Sequence, residues 1–580
     1  MRKIINAPEK FVDEVLEGLL LAHPDALTIA PGSARALVAV APTRPGQVAI
    51  ATGGGSGHLP LFLGYVGNGL AHGAAVGNVF SSPSADDMLA VTRAIDAGGG
   101  VLYLYGNYGG DVFNFDDAAA RAEADGIRVT TVLGTDDILS APHEVHSTRR
   151  GVAGLALAFK TAGAAARRGL SLDDVAHVAQ RTIDNTRTMG VGLAPTILPE
   201  AGAATFELEP GEMEIGIGIH GEPGQYRGPI ESADTIADRF VNTLLEEVRG
   251  RRVAVLVNGL GATPLEELYV LYRRVARQLE ERGISIAQRY IGEYATSLEM
   301  AGASVSLCAL DPELESLLDD PADAALFAAW GRAPQTSRVD ARPGIDGRPR
   351  AGGGGGGAHQ KPASTTTASE QQSGREFAAL IATAMRQWAS CGDELRALDS
   401  VLGDGDLGIT VVRGSSAVIE ALSSSRDDWH PSAVIAAAAR AFGAANPSTF
   451  AALASLGCSA LADAIRENPH DWAHAAEAAL LAVQQRGGAQ VGDKTMIDPW
   501  AAVVTALHNH PDITFSGLVE VAQEATDGTA DLRSARGRAA WTGERSMGQR
   551  DPGSVALTRL LESLRDAEAS AKQPRSAATD

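Results

Sequence analysis

Cysteine is scarce in this chain: Cys308, Cys391 and Cys458 are the only three in 580 residues, and no paired spacing suggests zinc or a disulfide framework. A reducing compartment fits that pattern, and a cytoplasmic protein is expected. Long apolar runs are missing too. No stretch of about 18 or more apolar residues occurs, so no membrane span is expected. The start, Met1-Arg-Lys-Ile-Ile-Asn, leads into no apolar segment with a small-residue cleavage site. Basic residues are outnumbered, 49 Lys and Arg against 71 Asp and Glu, for a formal net charge of −22. An electrostatic nucleic-acid binder needs a basic face, so none is expected. An acidic protein that takes an anionic ligand needs a divalent cation, backbone N–H donors or a few placed arginines.

What is present is the balance of a globular protein, 45% hydrophobic and 21% charged, in a chain long enough for two or three cores. Residues 331–374 stand apart. They hold Pro334, Pro343 and Pro349, six consecutive glycines (Gly352 to Gly357) and a Ser/Thr/Gln-rich tail. Such a composition buries too little apolar surface to offset ordering entropy, so a flexible linker is expected. Before it the pattern is α/β. The β-prone runs Gln47-Val-Ala-Ile-Ala-Thr, Gly100-Val-Leu-Tyr-Leu-Tyr and Arg252-Val-Ala-Val-Leu-Val each end in a Gly/Asn-rich turn, and helical stretches such as that from Pro264 alternate with them. Ligands gather at the carboxyl ends of strands in such sheets. After the linker, Ala-rich amphipathic segments (376–391, 433–445, 460–467, 472–485, 500–508, 554–567) predict an all-α half with its chemistry on the interhelical loops.

Four motifs carry chemistry. Thr52-Gly-Gly-Gly-Ser-Gly-His58 follows a strand, and its glycines would let backbone N–H groups approach a ligand; without a Gly-Lys-Ser/Thr it is no Walker A loop. Tyr105-Gly-Asn-Tyr-Gly-Gly-Asp111 sets a carboxylate in a turn past a strand, where it can accept a proton from a hydroxyl or simply stabilise its own turn. Met213-Glu-Ile-Gly-Ile-Gly-Ile-His220 reads as a strand with a histidine at its end, either a nucleophile or base or a structural residue. Asp399-Ser-Val-Leu-Gly-Asp404-Gly-Asp406 packs three carboxylates into a glycine-containing stretch, which is costly unless a cation such as Mg²⁺ neutralises them. The twelve-residue spacing of an EF-hand is missing. Asn446-Pro-Ser448-Thr449, Gly492-Asp-Lys494 with Asp498, Arg538, and Asp551-Pro552-Gly553 add phosphate-type contacts, although a plain cap or surface turn explains any one of them alone.

Together these motifs resemble the dihydroxyacetone kinase family over nearly the whole chain apart from the linker. The resemblance implies an α/β ketose-binding domain (DhaK-like) at 1–330 and an all-α helical-barrel domain (DhaL-like) binding Mg·ATP at 375–570. It implies a hemiaminal between His220 and the ketose carbonyl, with Asp111 and His58 at the terminal hydroxyl and Gly55, Ser56 and Gly57 holding the substrate. Asp399, Asp404 and Asp406 would bind two Mg²⁺ between the phosphates of ATP. Leu407, Gly408, Ile409, Thr410, Ser448, Thr449, Gly492, Arg538, Asp551, Pro552 and Gly553 would contact nucleotide. Fusion of both halves on one chain favours free ATP as donor, and a homodimer is expected.

The departures cluster on the substrate side. Leu59-Pro stands where dihydroxyacetone enzymes usually have Glu-Pro, Gly106 where many have lysine, and Asn78 where many have aspartate; Asn446-Pro-Ser-Thr-Phe replaces a Gly-Gly-Thr/Ser-Ser-Gly loop. Loss of a lysine at 106 is expected to open space, and Leu59 to reshape the neighbouring wall. These features are more similar to the branch acting on erythrulose than to dihydroxyacetone kinase proper. A non-catalytic ligand sensor and an FAD-cyclising lyase are the alternatives from other classes.

Overall fold

A computed structural model describes residues 3–330, 368–402, 405–423, 429–446, 448–536 and 546–572. Most of the expected linker, Asp404 and Arg538 lie outside those residues.

The first half builds on two six-stranded sheets. Its first seven strands are β1 (Leu27–Ile29), β2 (Ala36–Ala39), β3 (Ala49–Ser56), β4 (Gly67–Asn68), β5 (Gly73–Val79), β6 (Val101–Gly106) and β7 (Val129–Gly134). Around them lie helices α1 (Phe11–Ala22), α2 (Ala85–Ile95), α3 (Gly109–Ala124), α4 (Leu155–Arg167) and α5 (Leu172–Asp184). The sheet order is β1-β2-β5-β3-β6-β7, with β5, β3, β6 and β7 mutually parallel. Parallel strands covered on both faces must be apolar throughout, and β6 is buried at every position.

The sheet reinterprets the glycine run. Gly53, Gly54 and Gly55 lie inside β3 rather than in a loop after it. A Cβ on Gly53 would meet Phe115, one on Gly54 the Phe62 ring, and one on Gly55 the Phe80–Ser81 backbone. These glycines are required by close packing, and the chain turns only at Gly57, where φ is +103°.

The second sheet has the order β10-β9-β8-β13-β11-β12, from β8 (Thr186–Ala194), β9 (Glu212–Ile215), β10 (Tyr226–Pro229), β11 (Arg252–Gly259), β12 (Ser285–Gly292) and β13 (Ala301–Ala309). Helices α6 (Ala233–Glu247) and α7 (Leu265–Glu281) supply its helical layer, and α8 (Pro312–Asp319) follows β13. In α7 the buried Leu268, Leu271, Val275 and Leu279 recur at helical spacing along one stripe. A small third sheet, β15-β14-β4, is formed by β14 (Ala322–Ala324) and β15 (Phe327–Trp330) with β4. The strand expected to run to His220 stops at Ile215. Gly216 adopts φ +84°, its N–H goes to the Gly190 carbonyl, and His220 sits in the following turn.

The second half is helical throughout its described residues. Its helices are α9 (Ala368–Ala389), α10 (Gly392–Leu402), α11 (Asp406–Ser423), α12 (Pro431–Ala445), α13 (Thr449–Glu467), α14 (Trp472–Gly487), α15 (Ile497–Asn509), α16 (Phe515–Gly528) and α17 (Pro552–Lys572). Helix α9 begins at Ala368, inside the segment expected to be linker, because its Ser-Glu-Gln-Gln stretch is compatible with a helix once the following turns have a core to pack on. Trp388 anchors that core, stacked on Phe442 at 5.5 Å with its indole N–H donating to the Ala556 carbonyl at 2.9 Å. Lys494 is almost wholly buried, and its ammonium donates to the carbonyls of Leu532, Ser546 and Gln549 at 3.1, 2.6 and 2.6 Å. It therefore ties the start of α15 to both ends of the 532–549 segment.

Two outcomes follow. Glu247 accepts both arms of the buried Arg149 at 2.7 Å each, and Arg187 at 2.8 Å. Chiefly through the Arg149 bonds, its carboxyl drops from 4.5 to about 2. A depressed carboxyl stabilises the fold fully above the free value and loses that contribution as pH falls through the folded one. Denaturant titrations should thus show Glu247→Gln destabilised at neutral pH, with the gap to wild type closing between about pH 4.5 and 2; a gap constant with pH would contradict the ion-pair assignment. Lys494→Met strands three carbonyls, and chemical denaturation should show the second half weakened by about 1–3 kcal/mol.

Candidate active site at the junction of the two halves

The carboxyl ends of β3, β5, β6 and β7 open on one edge of the first sheet, where ligands collect in such folds. His58 follows β3 and is 1% exposed. Its Nδ1–H donates to the Thr296 carbonyl at 2.9 Å, which leaves Nε2 as the acceptor, with no hydrogen-bond partner among the described residues. Burial, and next the proximity of His220, lower its pKa to about 3, opposed by the Thr296 carbonyl and Glu222. His58 is therefore neutral at physiological pH.

His220 stands edge-on to His58 with ring centroids 4.8 Å apart. Phe80 stacks on His58 at 4.8 Å and meets the edge of His220 at 5.3 Å, while Tyr108 closes the other side of His220 at 4.8 Å. Behind this ring lies a buried charge relay. His220 Nδ1 bonds Glu222 Oε1 at 2.8 Å, and the His220 backbone N–H donates to Glu222 Oε2 at 3.0 Å. Arg150 approaches the same carboxylate at 3.7 Å and donates to Asp137 at 2.8 and 2.9 Å. A Cβ at Gly218 would fall 2.0 Å from Glu222 Oε2 and 2.3 Å from Arg150, so only glycine permits the pair. With the proton held on Nδ1 by the carboxylate, the lone pair of His220 is on Nε2.

Asp111 lies in the first turn of α3 rather than in a free turn, and is 7% exposed. Gly106, expected to vacate space, does not. A Cβ there would sit 2.9 Å from the Tyr108 ring and 3.2 Å from the Gly151 carbonyl, so the room is filled by the tyrosine that flanks His220. Leu59 joins the apolar cluster of Val12, Leu16 and Leu63 around α1. It lines a largely apolar cavity of about 130 Å³ bounded on one side by residues 54–59.

The second half meets this edge with helix N-termini. Asp399 is in the last turn of α10, not on a loop, and its Oδ2 accepts the Leu407 N–H at 3.2 Å, while Asp406 opens α11. Burial, together with Asp399, raises Asp406 to about 7, opposed by Ser81 of the first half. Ser448 caps α13, accepting the Ala451 N–H at 3.3 Å, and Thr449 follows against Gly109 and Gly110 of α3. At the start of α17 Asp551 accepts Ser554 N–H and Oγ–H at 2.6 and 2.9 Å, and burial pushes it to about 7, with Asp498 and Asp399 adding. Asp498 in turn accepts the Gly492 and Thr495 amides at 2.6 and 2.7 Å.

Not every expected residue faces a ligand. The Leu407 side chain belongs to the helical core, and a Cβ on Gly408 would meet the Gly392 carbonyl at 2.2 Å, so both serve the α10–α11 packing. Lys494 is consumed by carbonyls. Among the described residues no three His, Cys, Asp or Glu side chains form a ready metal set, and Asp404 falls outside them. Glu222, Arg150, Tyr108 and Ser81 were not singled out from sequence. The Gly-Glu-Pro-Gly turn held the only hint, a carboxylate two residues from His220.

The halves are held by polar contacts. Arg486 of α14 donates to the Phe113 carbonyl at 3.1 Å, pairs with Asp116 at 3.3 Å and lies over the Phe113 ring. Arg413 pairs with Glu200, and Arg396 donates to the Ala201 carbonyl at 2.9 Å.

Residues 17–326 match the Dak1 domain and residues 401–566 the DAK2 domain. The chain is 38% identical over 581 residues to the L-erythrulose 1-kinase of Mycolicibacterium smegmatis, covering 97% of this chain and 99% of that one. It is 36% identical over 585 residues to the D-erythrulose kinase of the same organism, covering 98% of each. Among solved structures, the dihydroxyacetone kinase from C. freundii in complex with AMP-PNP and Mg²⁺ aligns over 98% of this chain and 99% of its own, at 26% identity and a TM-score of 0.53. The dihydroxyacetone kinase operon co-activator DhaQ aligns with 55% of this chain and 98% of its own, at 35% identity and a TM-score of 0.52. With both domain models matched on one polypeptide and full-length relatives well above 30% identity, this chain belongs to the dihydroxyacetone kinase family.

Proposed function

We propose that this protein is an ATP-dependent kinase that captures a short ketose on His220 and phosphorylates its terminal hydroxyl, with erythrulose preferred to dihydroxyacetone. The observation that carries the reading is the junction itself. Asp406 and Ser81 line one cleft across the junction, where Ser81 favours the charged form of Asp406, and Ser81 adjoins Phe80, whose ring packs on both histidines.

The chemistry follows from the tautomers. Nε2 of His220 attacks the carbonyl carbon, the π electrons move to oxygen, and that oxygen takes a proton from water. The positive charge left on the imidazole is held against Glu222. Asp111 accepts the proton of the terminal hydroxyl as it attacks the γ-phosphate, and neutral His58 offers Nε2 as a further acceptor. Gly55, Ser56 and Gly57 border the substrate. Phosphoryl transfer is mostly positioning and charge stabilisation. Mg²⁺, two ions in this proposal, would be held by Asp399, Asp404 and Asp406 and would neutralise and orient the phosphates. The carboxyls fit that role because burial and the nearness of Asp399 to Asp406 disfavour two charges side by side, as the rise of Asp406 reflects. Ile409, Thr410, Ser448, Thr449, Gly492, Arg538 and Asp551 to Gly553, with the α11 backbone at Leu407 and Gly408, are proposed to surround the nucleotide, the helix N-termini directing N–H groups at phosphate. A cytoplasmic homodimer completes the proposal.

Erythrulose is favoured by the full-length relatives named for it, not by Gly106, whose space is taken. Dihydroxyacetone is the second reading, since the C. freundii neighbour is a dihydroxyacetone kinase. A purely sensory role is disfavoured because DhaQ aligns with only 55% of this chain, and this protein adds a half carrying Asp399 and Asp406. An FAD-cyclising lyase would have no use for His220.

Two experiments test the proposal. His220→Ala should abolish the ketose adduct in intact-mass spectra while leaving Mg·ATP binding in place, and Asp406→Asn should do the reverse; loss of both properties in either variant would refute the division of labour. Steady-state kinetics should give one erythrulose enantiomer a kcat/KM roughly tenfold or more above that of dihydroxyacetone, and preference for dihydroxyacetone over both enantiomers would overturn the substrate assignment alone.

A further inference from the structure

We infer that Asn78 and Asn446 form a neutral latch that sets the register of the nucleotide-binding half over the ketose-binding half. Asn78, near the end of β5, donates from Nδ2 to Asn446 Oδ1 at 2.9 Å, directly across the junction. Asn446, at the end of α12, donates from its own Nδ2 to Thr410 Oγ1 at 2.7 Å, and Thr410 donates to Ser448 Oγ at 3.1 Å. One run of hydrogen bonds thus leads from the first sheet to α11 and the cap of α13.

Burial gives the run its weight. Asn446 is 1% exposed, Thr410 0% and Ser448 6%. Parting the halves by about an ångström leaves the Asn446 carbonyl without its donor in a dry setting, a larger loss than the net worth of the bond. The charged contacts across the same junction differ in kind. The side chains of Arg486 and Asp116 are 38% and 42% exposed, and those of Arg413 and Glu200 22% each. The more exposed Arg486–Asp116 pair contributes little and weakens with salt. The charged contacts can hold the halves together; a short amide-to-amide bond can set where they stop.

Position links the latch to the reaction. Asn78 is two residues before Phe80, which packs on His58 and His220, and three before Ser81, which lines the same junction cleft as Asp406. The Ser81 N–H also donates to the Asn78 carbonyl at 3.1 Å, closing the turn on itself. A slip at this turn therefore moves the ketose site and the proposed metal carboxylates relative to each other, and in-line transfer tolerates little misplacement. Asn78 and Asn446 are positioning residues and touch no reacting atom in this scheme, which rests on the kinase reading above.

The test is a double-mutant cycle on the full-length enzyme. Asn78→Ala should keep ketose capture and the dissociation constant for Mg·AMP-PNP within about twofold of wild type while kcat falls about tenfold. Asn446→Ala should also lower kcat, but by a smaller factor in the Asn78→Ala background than in wild type, because the bond is already gone. Asn78→Gln, which keeps the amide donor, should recover part of the loss. Unchanged kcat in Asn78→Ala, losses that multiply independently in the double variant, or a fall in kcat matched by lost nucleotide affinity would each overturn the latch. If Asn446→Ala fails to fold, the two Asn78 variants decide alone, since that side chain is only half-buried. Failure of the kinase reading would appear separately, as wild-type enzyme inactive on every ketose.

Discussion

A buried full charge organises the ketose-binding half. Arg150 is 1% exposed and would be untenable there without carboxylates on two sides. Asp137 answers it past the last strand of the first sheet, Glu222 in the turn between β9 and β10 of the second, and the Gly216 carbonyl accepts a further bond at 3.0 Å. The guanidinium thereby joins the two sheets at the place where His220 must be held. Because Glu222 bonds both the ring and the backbone N–H of His220, the ion pair that closes the fold also holds one imidazole nitrogen and leaves the other for the proposed attack on the ketose. Removing Arg150 would leave two buried carboxylates without their shared cation, so stability and chemistry cannot be separated at this point.

The junction works by a different principle. It relies on small residues and helix N-termini rather than on apolar area. Gly109 and Gly110 let the start of α13 approach the start of α3, which brings two sets of free N–H groups toward one volume. In the proposed reading, an acidic protein of net charge −22 would hold a polyanion there through backbone donors and a cation, not through a basic patch. The arginines that bridge the halves are spent on protein carbonyls and carboxylates.

Four of the sequence departures have different physical fates. Gly106 and Leu59 were expected to reshape the substrate pocket, yet Gly106 is filled by Tyr108 and Leu59 packs toward α1. Asn78 and Asn446, far apart in the chain and flagged separately, contact each other. A contact of that kind is invisible in a single sequence, because nothing in either local pattern points to the other.

What the sequence by itself determined is the part governed by local chemistry. The strands beginning near Val48, Val101 and Arg252, the Ala-rich helices, the all-α second half, and the histidine and carboxylate motifs were legible because periodicity and turn residues act over a few positions. Helices α10, α11 and α16 and the early start of α9 were not picked out, their apolar stripes being diluted by polar or small residues that only packing can justify. Tertiary structure alone decided that Gly53 to Gly55 form the interior of a strand, that Lys494 holds a segment of chain rather than a phosphate, and that Asp399 is helical. It also decided that Glu222, Arg150 and Tyr108 stand around His220. Each of these depends on which distant side chain occupies the neighbouring space, and the close packing of a protein interior settles that globally rather than along the chain.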